Sequence, residues 1–220
     1  MNKKFKSLAV GVGMMVVVPT LASAVTLEGH FSGYGDHNGP GPGMYAVGTT
    51  YTAYMDLDTT QENPWYPWDQ ATYEYTAVLN AQVVSYDGAS NPQTADFNVA
   101  NVSVYRDAIA GGTAAIYSNT STFTDGTLIL SGVVQNMIGE HVNVFGLPWT
   151  VTGVIVFTGG ADLGNLATQC AGGLVMNDFI NFTFGTPPAG FEEAYDAEWK
   201  CPDSVSLEPT NWGRVKDLYR

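Results

Sequence analysis

From Thr72 to Val83 the side chains alternate: Tyr73, Tyr75, Ala77, Leu79, Ala81 and Val83 fall on one side, while Thr72, Glu74, Thr76, Asn80 and Gln82 supply most of the other. A period of two held over that length is the pattern of a half-buried β-strand, and it is incompatible with a helix, whose faces recur every 3.6 residues. Asp87-Gly88 then supplies a turn. Weaker versions of this rhythm run along the rest of the chain, with strands expected at residues 25–33, 49–56, 113–118, 128–135, 149–157 and 174–184. Between Phe97 and Val104 the alternation changes phase near Ala100-Asn101, as a β-bulge would make it do. Asp125-Gly126 reads as a two-residue hairpin turn. Gly132 and Gly153 interrupt two apolar runs, where a bulge or a close backbone approach is expected.

About eight or nine strands with turn residues every eight to fifteen positions predict an all-β antiparallel fold. The expected form is a β-sandwich, jelly-roll-like or similar. A small closed β-barrel, which gives the same alternation, is the alternative. Helix is expected only as a single turn at 161–167 and as a short C-terminal helix at 209–220, where Trp212, Val215, Leu218 and Tyr219 fall at helical spacing.

The first 24 residues have the three parts of a secretory signal peptide. Lys3, Lys4 and Lys6 precede an apolar run from Leu8 to Val18, and Ala22-Ser23-Ala24 forms a small-x-small cleavage site. The run is shorter than the roughly 20 residues a membrane-spanning helix needs. The expected organisation is therefore a signal peptide at 1–24, a β-domain at 25–205 and a tail at 206–220. The expected location is outside the cytoplasm, in the periplasm or beyond the cell, with no transmembrane helix after signal cleavage.

Losing the signal removes three of the eight basic residues and none of the 21 acidic ones, which leaves a formal charge of −16. Arg106 is the only Lys or Arg between Val25 and Trp199. Phosphate backbones are bound by clustered Lys and Arg, so nucleic acid is excluded as a partner. Cys170 and Cys201 are the only cysteines, and in an exported chain such a pair is expected to form a disulfide.

Four features carry candidate chemistry. Pro64-Trp65-Tyr66-Pro67-Trp68-Asp69 holds three aromatic rings in a proline-stiffened loop. A sugar's apolar face stacks on such rings, and Asp69 would accept hydroxyl hydrogen bonds; the other reading is that the rings fold inward and plug one end of the fold. Asp56, Asp58 and Glu62 place three carboxylates just past a strand end, a set that calcium would take, though the spacing lacks the rest of an EF-hand loop. Glu192, Glu193, Asp196 and Glu198 form a second acidic cluster before Cys201. His37, in a glycine-rich loop, would be able to bind a metal if exposed, but His30 and His37 lie seven apart, which is not a ligand spacing, so both read as ordinary loop or strand residues.

No serine-hydrolase elbow, zinc-protease helix, phosphate loop or dinucleotide fingerprint is present. Glu74, on the polar side of its strand, is not nominated as an acid catalyst. No catalytic residue and no cofactor other than calcium is expected. The leading reading is a non-catalytic secreted binding or structural domain, with extracellular polysaccharide or protein as partner. An outer-membrane β-barrel and a glycan-active enzyme on a β-sandwich are the alternatives.

Overall fold

The computed structural model describes residues 27–39, 45–58, 63–142, 148–181 and 187–202. The expected signal peptide, Glu62 and the C-terminal stretch with its expected helix lie outside them. The described chain forms eight strands: β1 (Glu28–His37), β2 (Thr50–Leu57), β3 (Tyr73–Asp87), β4 (Gln93–Ala108), β5 (Thr127–His141), β6 (Trp149–Gly159), β7 (Leu174–Asn181) and β8 (Glu193–Lys200). Each pairs antiparallel with the next, and β8 returns to pair with β1, from Glu28 opposite Lys200 to Gly35 opposite Glu193.

The fold is all-β, and of its two expected forms the closed barrel is the one found. Two packed sheets would leave four edge strands, whereas here every strand has a neighbour on both sides. Which of the two forms results depends on the β1–β8 pairing, which joins the ends of the domain and leaves no local trace.

Alternation along the strands sorts side chains into the barrel or out of it. Phe31, Met55, Leu79, Val102, Ile155, Leu174 and Trp199 point inward and are almost wholly buried. On β1 and β8 the outward positions carry Glu28, His30, Asp196, Glu198 and Lys200. The outer face of β5 and β7 is more apolar, with Val133, Val175 and Phe179 exposed. The expected phase change in β4 is present. Asn80 and Gln82 of β3 lie opposite Asn101 and Asn98, so one residue of β3 faces two of β4. Phe97 and Ala100 are consequently both turned inward and buried.

Two expectations are corrected. Residues 113–118 form no strand. Their backbone N–H groups are instead captured by side chains: Thr113 donates to Asp107 Oδ2 at 3.2 Å, Ala115 to Glu74 Oε2 at 3.0 Å, and Ile116 to Thr122 Oγ1 at 2.9 Å. Asp125-Gly126 likewise closes no hairpin. The whole of 109–126 is a flap from β4 to β5, with a 3-10 turn at Thr120–Phe123, laid over the outer face of β2 and β3. The acidic stretch before Cys201 is a full strand, β8, with Glu193 and Tyr195 facing in.

The end of the barrel where the chain enters is closed by the 63–72 loop. Trp65 is 0% exposed, packed against Trp68 at 4.9 Å and Phe157 at 5.9 Å between ring centroids. Gly29 makes room for it, since a Cβ there would sit 2.5 Å from the indole Nε1. Tyr66 is also buried, and its hydroxyl donates to Asp162 Oδ2 at 2.6 Å, the oxygen that Arg106 Nη1 meets at 2.7 Å. Cys170 and Cys201 form the expected disulfide, tying the β6–β7 connection to the end of β8. Closing a loop of this length contributes about 3–4 kcal/mol on the chain-entropy account.

Candidate functional site

Titratable groups gather in two places, one inside the barrel and one on its wall. Inside, near the end away from Trp65, His37 is not exposed as its loop context suggested. Its side chain is fully buried, with Nε2 at 3.0 Å from Glu193 Oε1 and 3.4 Å from Glu192 Oε2. Burial draws the imidazole down, but the hydrogen bond and charge of Glu193, with Glu192 and Asp36, outweigh it and leave His37 raised above its ordinary value. Tyr45 donates to Glu193 Oε2 at 3.4 Å, and Tyr195 donates to Asp178. Burial pushes the Asp178 carboxyl well up. These groups are walled in by rings, with Tyr45 at 5.0 Å from Trp149 and Tyr51 at 6.0 Å from Tyr195.

On the wall, adjoining depressions run along the outer face of β1, β2 and β3 under the flap. One of about 300 Å³ is lined by Asp56, Leu57, Gln70, Tyr73, Glu74 and Ile109, among others. A second, of about 260 Å³, shares Asp56 with it and adds Ser32, Tyr34 and Tyr117. A third, of about 350 Å³, shares Tyr117 with the second and adds Asp36, Asn38, Thr50, Thr52, Tyr54 and Phe191.

The sequence builds this wall from outward-facing positions on paired strands. Tyr34 of β1 lies opposite Tyr54 of β2, and Ser32 lies opposite Asp56. The flap brings Tyr117 edge-on to Tyr34 at 4.8 Å, and Phe191 follows at 5.5 Å from Tyr117. Phe123, 0% exposed, anchors the flap beneath them, at 5.5 Å from Tyr54 and 4.9 Å from Tyr117. Tyr34, Tyr54, Tyr117 and Phe191 are each half-buried, so they keep surface turned to solvent.

Besides Asp107, two carboxylates on β2 and β3 hold the flap. Asp56 Oδ2 accepts the Tyr117 hydroxyl at 3.0 Å, and Glu74 Oε2 accepts the Ala115 N–H. The other oxygen of Asp56 is buried without a hydrogen-bond partner. Burial raises Asp56 to about 6, the Tyr117 hydrogen bond pulls it back in part, and Glu74 and Asp58 push it up further.

The residues singled out in the sequence are divided by this geometry. Trp65 and Tyr66 lie inside the barrel end and present no face to solvent; Trp68, half-buried, and Asp69, exposed, are what the loop shows outside. Of the calcium trio, Asp56 enters the wall site and Asp58 Oδ1 accepts from Ser32 Oγ at 2.8 Å, while Glu62 lies outside the described residues. Among the described residues, Glu28, His30 and Glu198 offer donor atoms close enough to share a metal ion. Lys200 Nζ is already 2.8 Å from Glu198 and 3.9 Å from Glu28, so this group is a surface ion-pair network with its own fixed cation.

Tyr34, Tyr54, Tyr117 and Phe191 were not anticipated. The signal available was a tyrosine on the outward side of each of two strands. The partner segment, however, read as a strand of its own. Comparison of the chain with protein-family models, curated proteins and solved structures finds no match.

Proposed function

We propose that the chain is an exported, non-catalytic binding barrel that holds carbohydrate in the groove along β1 and β2. The observation that carries this reading is the set of four half-buried rings, Tyr34, Tyr54, Tyr117 and Phe191, set beside Asp36, Asn38, Thr50 and Thr52 in adjoining depressions. Aromatic faces take the C–H side of a sugar ring while neighbouring hydroxyl, amide and carboxylate groups take its hydroxyls, and a few such polar groups fix orientation.

An aqueous barrel is supported over a membrane-embedded one by the sorting of side chains. A transmembrane barrel turns an apolar band outward and keeps a polar lumen. Here the interior is packed with aromatic and aliphatic side chains, and β1 and β8 turn charges outward. Export is supported by the signal-like first 24 residues and agrees with the disulfide.

The test is retention of the mature chain on a panel of insoluble polysaccharides, alongside Tyr54→Ala and Tyr117→Ala variants whose folding is checked by circular dichroism. Retention that the folded variants lose supports the groove. Retention that both variants keep moves the contact elsewhere, and retention on no matrix removes carbohydrate from the reading.

A further inference from the structure

The charged side chains that line the groove, His37 aside, are carboxylates. Asp36 lies in the depression at one end, Asp56 in the two that share it, and Glu74 in the one at the other end. They sit on three neighbouring strands. Asp36 pairs with Thr52, four residues along β2 from Asp56, which sets the two carboxylates about 13 Å apart along the strand. That is a span of a few sugar rings rather than one.

No Lys or Arg lines any of the three depressions. The described chain has two such residues: Arg106 is engaged by Asp162, and Lys200 by Glu198. His37 reaches one wall but is turned to Glu193. Asp56 adds a more local mark, because one of its oxygens is buried with no donor facing it while the other is held by Tyr117. A buried carboxylate oxygen normally has a donor. Rings beside carboxylates are also the setting in which an ammonium group is stabilised by both charge and aromatic faces.

Resting on the carbohydrate reading above, we propose that the groove selects a polymer of amino sugars whose amines are free and protonated, and rejects uronate-bearing or sulfated chains. The ring skeleton lies against Tyr34, Tyr54, Tyr117 and Phe191, and ammonium groups meet Asp56, Glu74 and Asp36. The same carboxylates repel acidic glycans, so the groove discriminates by repulsion as well as attraction.

The experiment titrates the mature chain with a glucosamine hexamer and with the N-acetylglucosamine hexamer, which has the same skeleton but no charge, at physiological ionic strength. Spermine serves as a cation without rings. The glucosamine hexamer should bind about tenfold tighter than its acetylated counterpart, since a single exposed ammonium–carboxylate pair changes affinity by about two- to fivefold and several act together. Asp56→Asn should lower that preference by about two- to fivefold. Glu140→Gln, an exposed carboxylate on β5 away from the groove, should leave it unchanged.

Equal affinity for the two hexamers overturns the proposed ligand while leaving the carbohydrate reading standing. Spermine binding as tightly as the glucosamine hexamer, or an equal loss in Glu140→Gln, overturns it by showing attraction to overall charge. If neither hexamer binds while the polysaccharide panel still retains the chain through Tyr117, the amino-sugar assignment fails alone; if the panel is also negative, both readings fail.

Discussion

Tyr117, on the flap between β4 and β5, donates its hydroxyl hydrogen to Asp56 Oδ2 at 3.0 Å across the outer wall of the barrel. This contact, the Glu74–Ala115 hydrogen bond and the bond from Thr76 Oγ1 to the Phe123 carbonyl at 2.8 Å pin a segment with no ladder of its own to β2 and β3. Tyr117→Phe keeps the ring and removes the latch, at a cost of about 1 kcal/mol. The expected result is faster amide exchange across 113–122 with little change in the melting temperature. Exchange as slow as in the parent would show that Phe123 alone holds the flap.

Trp65 fills the barrel end as packing. Trp65→Ala should destabilise the domain by about 3–5 kcal/mol, through lost burial and the cavity left behind. Denaturant unfolding followed by circular dichroism measures it. A loss under about 1 kcal/mol would mean that the ring does not plug the barrel.

A smaller change reaches the same place from the opposite side. Gly29→Ala sets a methyl where only 2.5 Å separates it from the Trp65 indole nitrogen, so the plug must shift or β1 must move. Overpacking of this kind costs about 1–3 kcal/mol, to be read as a lower unfolding midpoint with an unchanged slope.

Stability should fall as pH rises from about 5 to about 8. The sign follows from two buried groups. Asp178 is raised well above 3.8 by burial, which Tyr195 and the Glu198 backbone only partly offset. A carboxyl raised in the folded state contributes most below its unfolded value and loses that contribution as pH climbs towards its folded one. His37, raised above 6.5, contributes below 6.5 and loses its contribution as pH passes through its folded value. Asp56, raised to about 6, acts in the same direction as Asp178. Thermal melts across this range should show the decline, and Asp178→Asn should make it shallower. A melting temperature that climbs towards pH 8 would contradict the assignment.

What could be read in the sequence was what the chain decides locally. The Tyr73–Val83 alternation became β3, and the change of phase near Ala100 became a bulge, because both rest on which side consecutive residues face. The disulfide followed from having two cysteines and no other partner for them. What remained hidden depends on distant partners. Glu193 looks like a solvated charge until β1 brings His37 beside it, so in the sequence alone β8 shows only an acidic cluster. Trp65 in a rigid loop suits a sugar platform as well as a plug, and only barrel closure decides between them. The groove needed both: tyrosines on two paired strands, and a flap whose hydrogen bonds go to side chains, which hydrophobic pattern does not record.

The pairing of Glu28 with Lys200 has a consequence for how this domain comes into being. The first of the described strands is a neighbour of the last, so the barrel cannot close until β8 is available. A nascent or truncated chain ending before Glu193 would carry two open strand edges, each a template for pairing with another copy. Contacts between the ends of a chain are the slowest kind to find, since the intervening loop must be ordered before they form. The domain is therefore expected to be a slow, late folder, one whose earlier strands wait with open edges and acquire their final structure together when β8 arrives.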